Sequence, residues 1–115
     1  MVEVSLERFE ELVADALDEI PEDLWRVVDN VSVEVQEGSD RSSLLGLYEG
    51  VPLTHRRGYG EGMVMPDRIT IFRRPILARC VDEAQVVEQV RITVIHEVAH
   101  HFGIDDARLH ELGWA

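Results

Sequence analysis

The sequence predicts an α+β domain: two N-terminal helices, a small, mainly antiparallel sheet of three or four strands, and a long helix toward the C-terminus. Three observations carry this expectation. Apolar residues recur at helical spacing over residues 6–20 and again over residues 83–102. Between them Val31, Val33 and Val35 alternate with Ser32 and Glu34, as a half-buried strand requires. Ile69-Thr70-Ile71-Phe72 supplies the branched and aromatic side chains that suit a pleated surface. No repeat, low-complexity tract or linker divides the chain, so residues 1–115 read as a single domain.

Ser5 is placed to cap the first helix, whose apolar face is Leu6, Phe9, Val13, Ala16, Leu17 and Ile20. Glu7, Glu10, Glu11, Asp15 and Asp18 fall mainly on the other faces and read as solvated charge. Pro21 ends this helix and opens a shorter one through Leu24, Trp25, Val27 and Val28, with Trp25 in the core. The Val31–Val35 strand runs into a turn at Gly38-Ser39-Asp40-Arg41-Ser42. Leu44 to Tyr48 is a second apolar run, interrupted by Gly46 and ended by Gly50 and Pro52. Two strands joined by such a turn are expected to pair antiparallel.

Residues 54–66 hold Gly58, Gly60, Gly62 and Pro66 without periodicity and form the longest irregular stretch. His55, Arg56 and Arg57 are a basic spot there, read as an exposed loop, with capture of a substrate carboxylate as the functional alternative. Pro75 to Arg79 is a turn or short helix. Asp82 is then an N-cap, with Gln85 in the capping-box position. Val87, Val90, Val94 and Val98 space an apolar stripe that Ile92, Ile95, Ala99 and Phe102 widen. This helix is therefore expected to be largely buried, with one face turned to a cleft. Gly103 stops it, and Asp106 to Leu112 forms a last short helix before Gly113-Trp114.

The formal net charge is −12. That balance argues against nucleic acid, whose phosphates need clustered Lys and Arg, and against an anionic membrane surface. A cationic peptide would be attracted, although solubility explains the acidity equally well. Cys80 is the single cysteine, which excludes an internal disulfide, and it reads as a small apolar residue rather than a ligand or nucleophile. Met1-Val2-Glu3-Val4 turns acidic at once and no apolar run follows, so neither a signal peptide nor a transmembrane span is expected. The expected location is the cytoplasm. No oligomeric state follows from the sequence.

The second long helix carries the chemistry. His96-Glu97-Val98-Ala99-His100 continues through Gly103 to Asp106, giving H-E-x-x-H-x-x-G-x-x-D. Residues four apart lie on one helical face, so His96 and His100 can grip one metal ion. Two neutral imidazoles suit Zn²⁺, and a catalytic zinc takes three protein ligands plus a water. Glu97, beside the first ligand, is placed to accept a proton from that water. With 5 His in the chain, chance supplies about 0.03 copies of the five-residue pattern and ~10⁻⁴ of the extended one. A continuous helix would carry Asp106 ~15 Å past His96 and off its face. Only a break near Gly103 returns it to the metal.

This pattern resembles the zinc signature of the zincin metallopeptidases, in the variant with Asp where metzincins have a third His. Leu44-Leu45-Gly46-Leu47-Tyr48-Glu49-Gly50-Val51-Pro52-Leu53 and Pro66-Asp67-Arg68-Ile69-Thr70-Ile71-Phe72, followed by the His96 motif, are similar to a family of small bacterial zincin-like proteins. The resemblance runs over residues 40 to 114. It implies a minimal zincin-like domain with a C-terminal metal-binding helix, a Zn²⁺ cofactor and a peptide or protein substrate. A strand of the sheet near the metal would pair with that substrate in extended form, and the sequence leaves open whether Ile69–Phe72 is that edge. Tyr59 would be a candidate donor to the tetrahedral oxyanion.

The reading that follows is a zinc metallopeptidase, with His96, His100 and Asp106 as metal ligands and Glu97 as catalytic base. Asp105, His110 and Glu111 compete with Asp106 for the third position, and His101 could act from beside the ligands. Metzincins carry a methionine turn after the third ligand, and no Met follows Asp106 here. That departure motivates a second reading, a non-catalytic or weakly active zinc-binding regulatory module on the same fold. A purely structural zinc would need four protein ligands and has no use for Glu97.

Overall fold

The computed structural model describes residues 1–28, 30–50 and 66–114. In chain order these form α1 (Leu6–Asp18), α2 (Glu22–Trp25), β1 (Val31–Gln36), β2 (Gly46–Glu49), β3 (Asp67–Phe72), α3 (Arg73–Leu77), α4 (Glu83–His101) and α5 (Asp106–Leu112). The class is α+β, as the sequence predicts.

Ser5 Oγ accepts the Arg8 N–H at 3.1 Å and starts α1, which buries Phe9, Leu12, Val13 and Ala16. Pro21 precedes α2, and Leu24 is fully buried. This helix stops at Trp25, short of Val27 and Val28, because the Val27 and Val28 amides bond three residues back, to Leu24 and Trp25, and tighten the last turn.

The sheet differs from expectation. Its order is β1-β3-β2, with β1 parallel to β3 from Val31↔Asp67 to Gln36↔Phe72 and β2 antiparallel to β3 from Gly46↔Ile71 to Glu49↔Arg68. It is thus mixed rather than mainly antiparallel, and the expected β1–β2 hairpin does not form. Burial explains the order. Ile69, Thr70 and Ile71 are all buried, so β3 is covered on both faces and takes the centre, whereas β2 buries only alternate residues and β1 none completely. The connection from β1 to β2 straddles the end of β3. Glu37 O accepts the Arg74 N–H on one side and Leu45 O accepts the Phe72 N–H on the other, both at 2.9 Å.

Asp82 Oδ1 accepts the Gln85 N–H at 2.8 Å, and Gln85 Oε1 reaches back to the Val81 N–H at 2.9 Å, one residue before its usual capping-box partner. The helix so started packs against α1 on one side and beneath β2 and β3 on the other. Its buried stripe begins at Val86 rather than Val87 and continues through Val90, Val94, Ile95, Val98 and Ala99. Each buried valine contributes ~1.5 kcal/mol or more. That exceeds the ~0.5 kcal/mol by which a branched residue disfavours helix, so packing wins over propensity. Arg8 joins α1 to the start of α4 through a two-pronged ion pair with Glu83, at 3.2 and 3.0 Å.

The helix ends in a Schellman motif. Gly103 adopts φ +73°, its N–H bonds His100 O at 3.2 Å, and the Ile104 N–H bonds Ala99 O at 2.8 Å. Asp105 at once caps α5 by accepting the Arg108 N–H at 2.8 Å, and buried Leu109 and Trp114 hold that helix to the core. The break near Gly103 that the sequence demanded is therefore present.

Candidate metal centre

Along α4, Gln89, Thr93, His96, Glu97 and His100 fall on one face of the helix and make a polar stripe beside the buried apolar one. With Ile92 and the Ser43–Gly46 segment entering β2, they line an open cavity of about 230 Å³. The His96 and His100 rings lie one turn apart, with centroids separated by 6.1 Å and planes inclined by 21°. His96 is half-buried against the cavity wall and His100 is exposed at its mouth. The donor chemistry fits zinc: two imidazoles on one face, with carboxylates close by in the chain and an open side for a further ligand.

Glu97 points across the cavity at β2. Because Leu45 O bonds the Phe72 N–H, the alternation of an antiparallel ladder turns Leu47 and Glu49 toward β3 and leaves the main-chain groups of Gly46 and Tyr48 facing outward. One of those outward groups is used: the Tyr48 N–H donates to Glu97 Oε1 at 3.3 Å. Close approach of strand and helix depends on Gly46. A Cβ there would lie 2.6 Å from Thr93 Cγ2 and 3.1 Å from Thr70 O. Thr93 is itself held by donating its hydroxyl to Gln89 O at 2.8 Å.

The Tyr48 side chain ties three elements together. Its hydroxyl donates to Asp67 Oδ2 at 2.7 Å in the interior, and its ring stacks on His101 with centroids 4.0 Å apart. His101 also meets Phe102 edge-on. It therefore buttresses the strand beside the cavity and does not line the cavity with His96 and His100. Neither Tyr48 nor Asp67 stood out as functional in the sequence. A signal was present: Asp67 is in phase with Ile69 and Ile71, so period-two alternation puts a carboxylate on the buried face, where it needs a donor.

Among the described residues no group of three His, Cys, Asp or Glu side chains is gathered into a metal-binding cluster. Asp106 is exposed in the first turn of α5, and no hydrogen bond or ion pair links its side chain to any described residue. Its rivals differ. Asp105 Oδ1 is engaged as the α5 cap, and Glu111 pairs with Arg108 at 2.9 Å. His110 is exposed on the same helix. His55, Arg56, Arg57 and Tyr59 lie outside the described residues. The edge question that the sequence leaves open is answered by the strand order: β3, with Ile69–Phe72, is central, and the strand bordering the cavity is β2.

The family model described as zincin-like metallopeptidase matches residues 21–114. The chain belongs to this family. The zincin-like match takes in all three strands, α4 and α5, and leaves α1 outside. Among solved structures, a conserved hypothetical protein from Thermus thermophilus is similar to this zincin-like chain at 24% identity, covering 86% of this chain and 94% of that one with a TM-score of 0.53. That likeness concerns the fold. No curated protein shows significant similarity to the chain. No helix among the described residues is long and apolar enough to cross a membrane.

Proposed function

We propose that this zincin-like protein is a zinc-dependent peptidase whose site is the cavity between α4 and β2. The observation that carries this reading is that His96, Glu97 and His100 all line one open cavity bordered by a strand with outward main-chain groups. His96 and His100 would hold Zn²⁺, and Asp106 is proposed as the third protein ligand. Zinc, when bound, supplies Lewis acidity toward the scissile carbonyl and toward a water. Glu97 is the base that takes the proton from that water and passes it to the leaving amine. The substrate lies extended along the outer edge of β2, where Gly46 offers an N–H and a C=O to its main chain.

The test combines elemental analysis of protein purified without added metal with a peptide-library digestion by the wild type and Glu97→Gln. About one zinc per chain, with cleavage lost by ~10²-fold or more in Glu97→Gln and zinc retained, is the expected result. Cleavage that survives Glu97→Gln would remove the proposed base. A second reading, a zinc-binding interaction module without appreciable hydrolysis, is favoured by one observation: Glu97 already spends an oxygen on the Tyr48 N–H. It predicts bound zinc and no cleavage by either protein.

A further inference from the structure

The opposite edge of the sheet has properties that the metal site does not use. Asn30 O accepts the Asp67 N–H at 2.9 Å, so along the parallel β1–β3 ladder Ser32, Glu34 and Gln36 carry the bonds toward β3. Val31, Val33 and Val35 consequently turn their N–H and C=O groups away from the sheet, and no described strand pairs with them. Val31–Gln36 contains neither proline nor lysine, two of the devices that usually protect an edge, and its one charge is Glu34. A groove of about 500 Å³ separates it from α1. Val13, Ala14 and Leu17 form its helical side and Val33 and Val35 its strand side, Glu10 borders it, and Glu34 lies between the two valines with its side chain on the other face.

We propose that this groove docks an extended segment of a partner protein in which apolar residues alternate with Lys or Arg. An added strand bonds the outward groups of Val31, Val33 and Val35. Alternate side chains then enter the gap between α1 and β1, where the valines are only half-buried. The intervening side chains stand on the other face beside Glu34, which is held weakly by Arg68 at 4.0 Å and has half of its side chain exposed. A basic residue there gains a partner, and Glu10 adds a second negative charge on the helical side. Charge also selects among occupants. A second copy would bring its own Glu34 to the same edge and set one chain of net charge −12 against another. A basic segment is attracted by both terms. The proposal is independent of the peptidase reading, because the groove borders β1 and the metal cavity borders β2.

The test uses the full chain, isotope-labelled, with an end-blocked probe peptide of alternating lysine and valine and a control in which glutamate replaces lysine. Supporting results are shifts and slowed hydrogen exchange at the Val31, Val33 and Val35 amides with the lysine peptide only, weakening as salt rises. Glu10→Lys together with Glu34→Lys, checked for an unchanged circular dichroism spectrum, is expected to weaken binding about tenfold or more. Equal binding of the glutamate peptide, perturbation confined to other residues, or no binding at millimolar peptide would overturn the proposal. So would slowing of the same amides with protein concentration alone, which would make the occupant a second copy.

Discussion

The Tyr48 N–H donates to Glu97 Oε1 at 3.3 Å, linking the edge strand β2 to the carboxylate between the two histidines. Glu97 is thus oriented by main chain, which at position 48 only proline would remove. The rigidity of that main chain depends on what Tyr48 itself touches, the buried Asp67 carboxylate and the His101 ring.

Tyr48→Phe keeps the ring and removes the hydroxyl. Asp67 Oδ2 loses a buried donor, at a cost of ~1–3 kcal/mol in stability. Urea denaturation monitored by tryptophan fluorescence measures this, and a cost near zero would show that the bond is replaced by another partner.

Asp106→Ala and Asp105→Ala separate ligation from capping. Asp106→Ala is expected to weaken zinc binding with little effect on the apo-protein melting temperature. Asp105→Ala removes the α5 cap and costs ~1 kcal/mol of stability while sparing the metal. Competition with a chromophoric chelator reads the first effect and calorimetry the second. A reversed pattern reassigns the third ligand to Asp105.

Gly46→Ala places a methyl group 2.6 Å from Thr93 Cγ2, and overpacking of this kind costs ~1–3 kcal/mol. Thr93→Ser deletes that methyl and keeps the hydroxyl that bonds Gln89 O. The double variant is therefore expected to recover much of the loss. Additive destabilisation would mean that Thr70 O, at 3.1 Å, is the controlling contact.

Acid should loosen α1 from α4. The Arg8 guanidinium, by hydrogen bonding and charge, holds the Glu83 carboxyl below the usual glutamate range. A lowered folded value means that the stabilisation is present above the unfolded value and is lost as pH falls through the folded one. The pair is exposed, so the effect is small and salt-sensitive. The melting-temperature difference between wild type and Arg8→Leu should be measurable at pH 7 and absent well below pH 4. A difference that persists in acid would assign it to packing of the arginine stem instead.

Local features were readable from the residues because local rules set them. Ser5 and Asp82 cap the helices they were expected to cap, Gly103 takes the left-handed conformation that ends α4, and Val90, Val94 and Val98 are buried as spacing predicts, although the stripe starts at Val86 and Leu6 and Phe102 are exposed. The pairing of His96 with His100 follows from helix geometry alone. Strand order was not readable, because alternation tells which face a side chain occupies and not which strand lies next to it. Val33 and Tyr48 each fit an antiparallel neighbour, and only the two-sided burial of β3 decides that it lies between them. The Tyr48–Asp67 bond was hidden for the same reason: it joins strands whose adjacency depends on that order.

The parallel pairing of β1 with β3 also bears on when the domain can assemble. On a ribosome that emits the chain from the N-terminus, β1 and β2 both emerge before the strand that joins them, and neither is the other's partner. The sheet cannot begin until Phe72 is clear of the exit tunnel, and its buried face waits longer, for α4. Closing these contacts across the intervening chain raises the contact order and slows folding relative to a hairpin-built sheet of equal size. During that interval both edges of β1 are unpaired, including the Ser32, Glu34 and Gln36 groups that β3 later takes, which leaves Val31–Gln36 open to pairing with other chains.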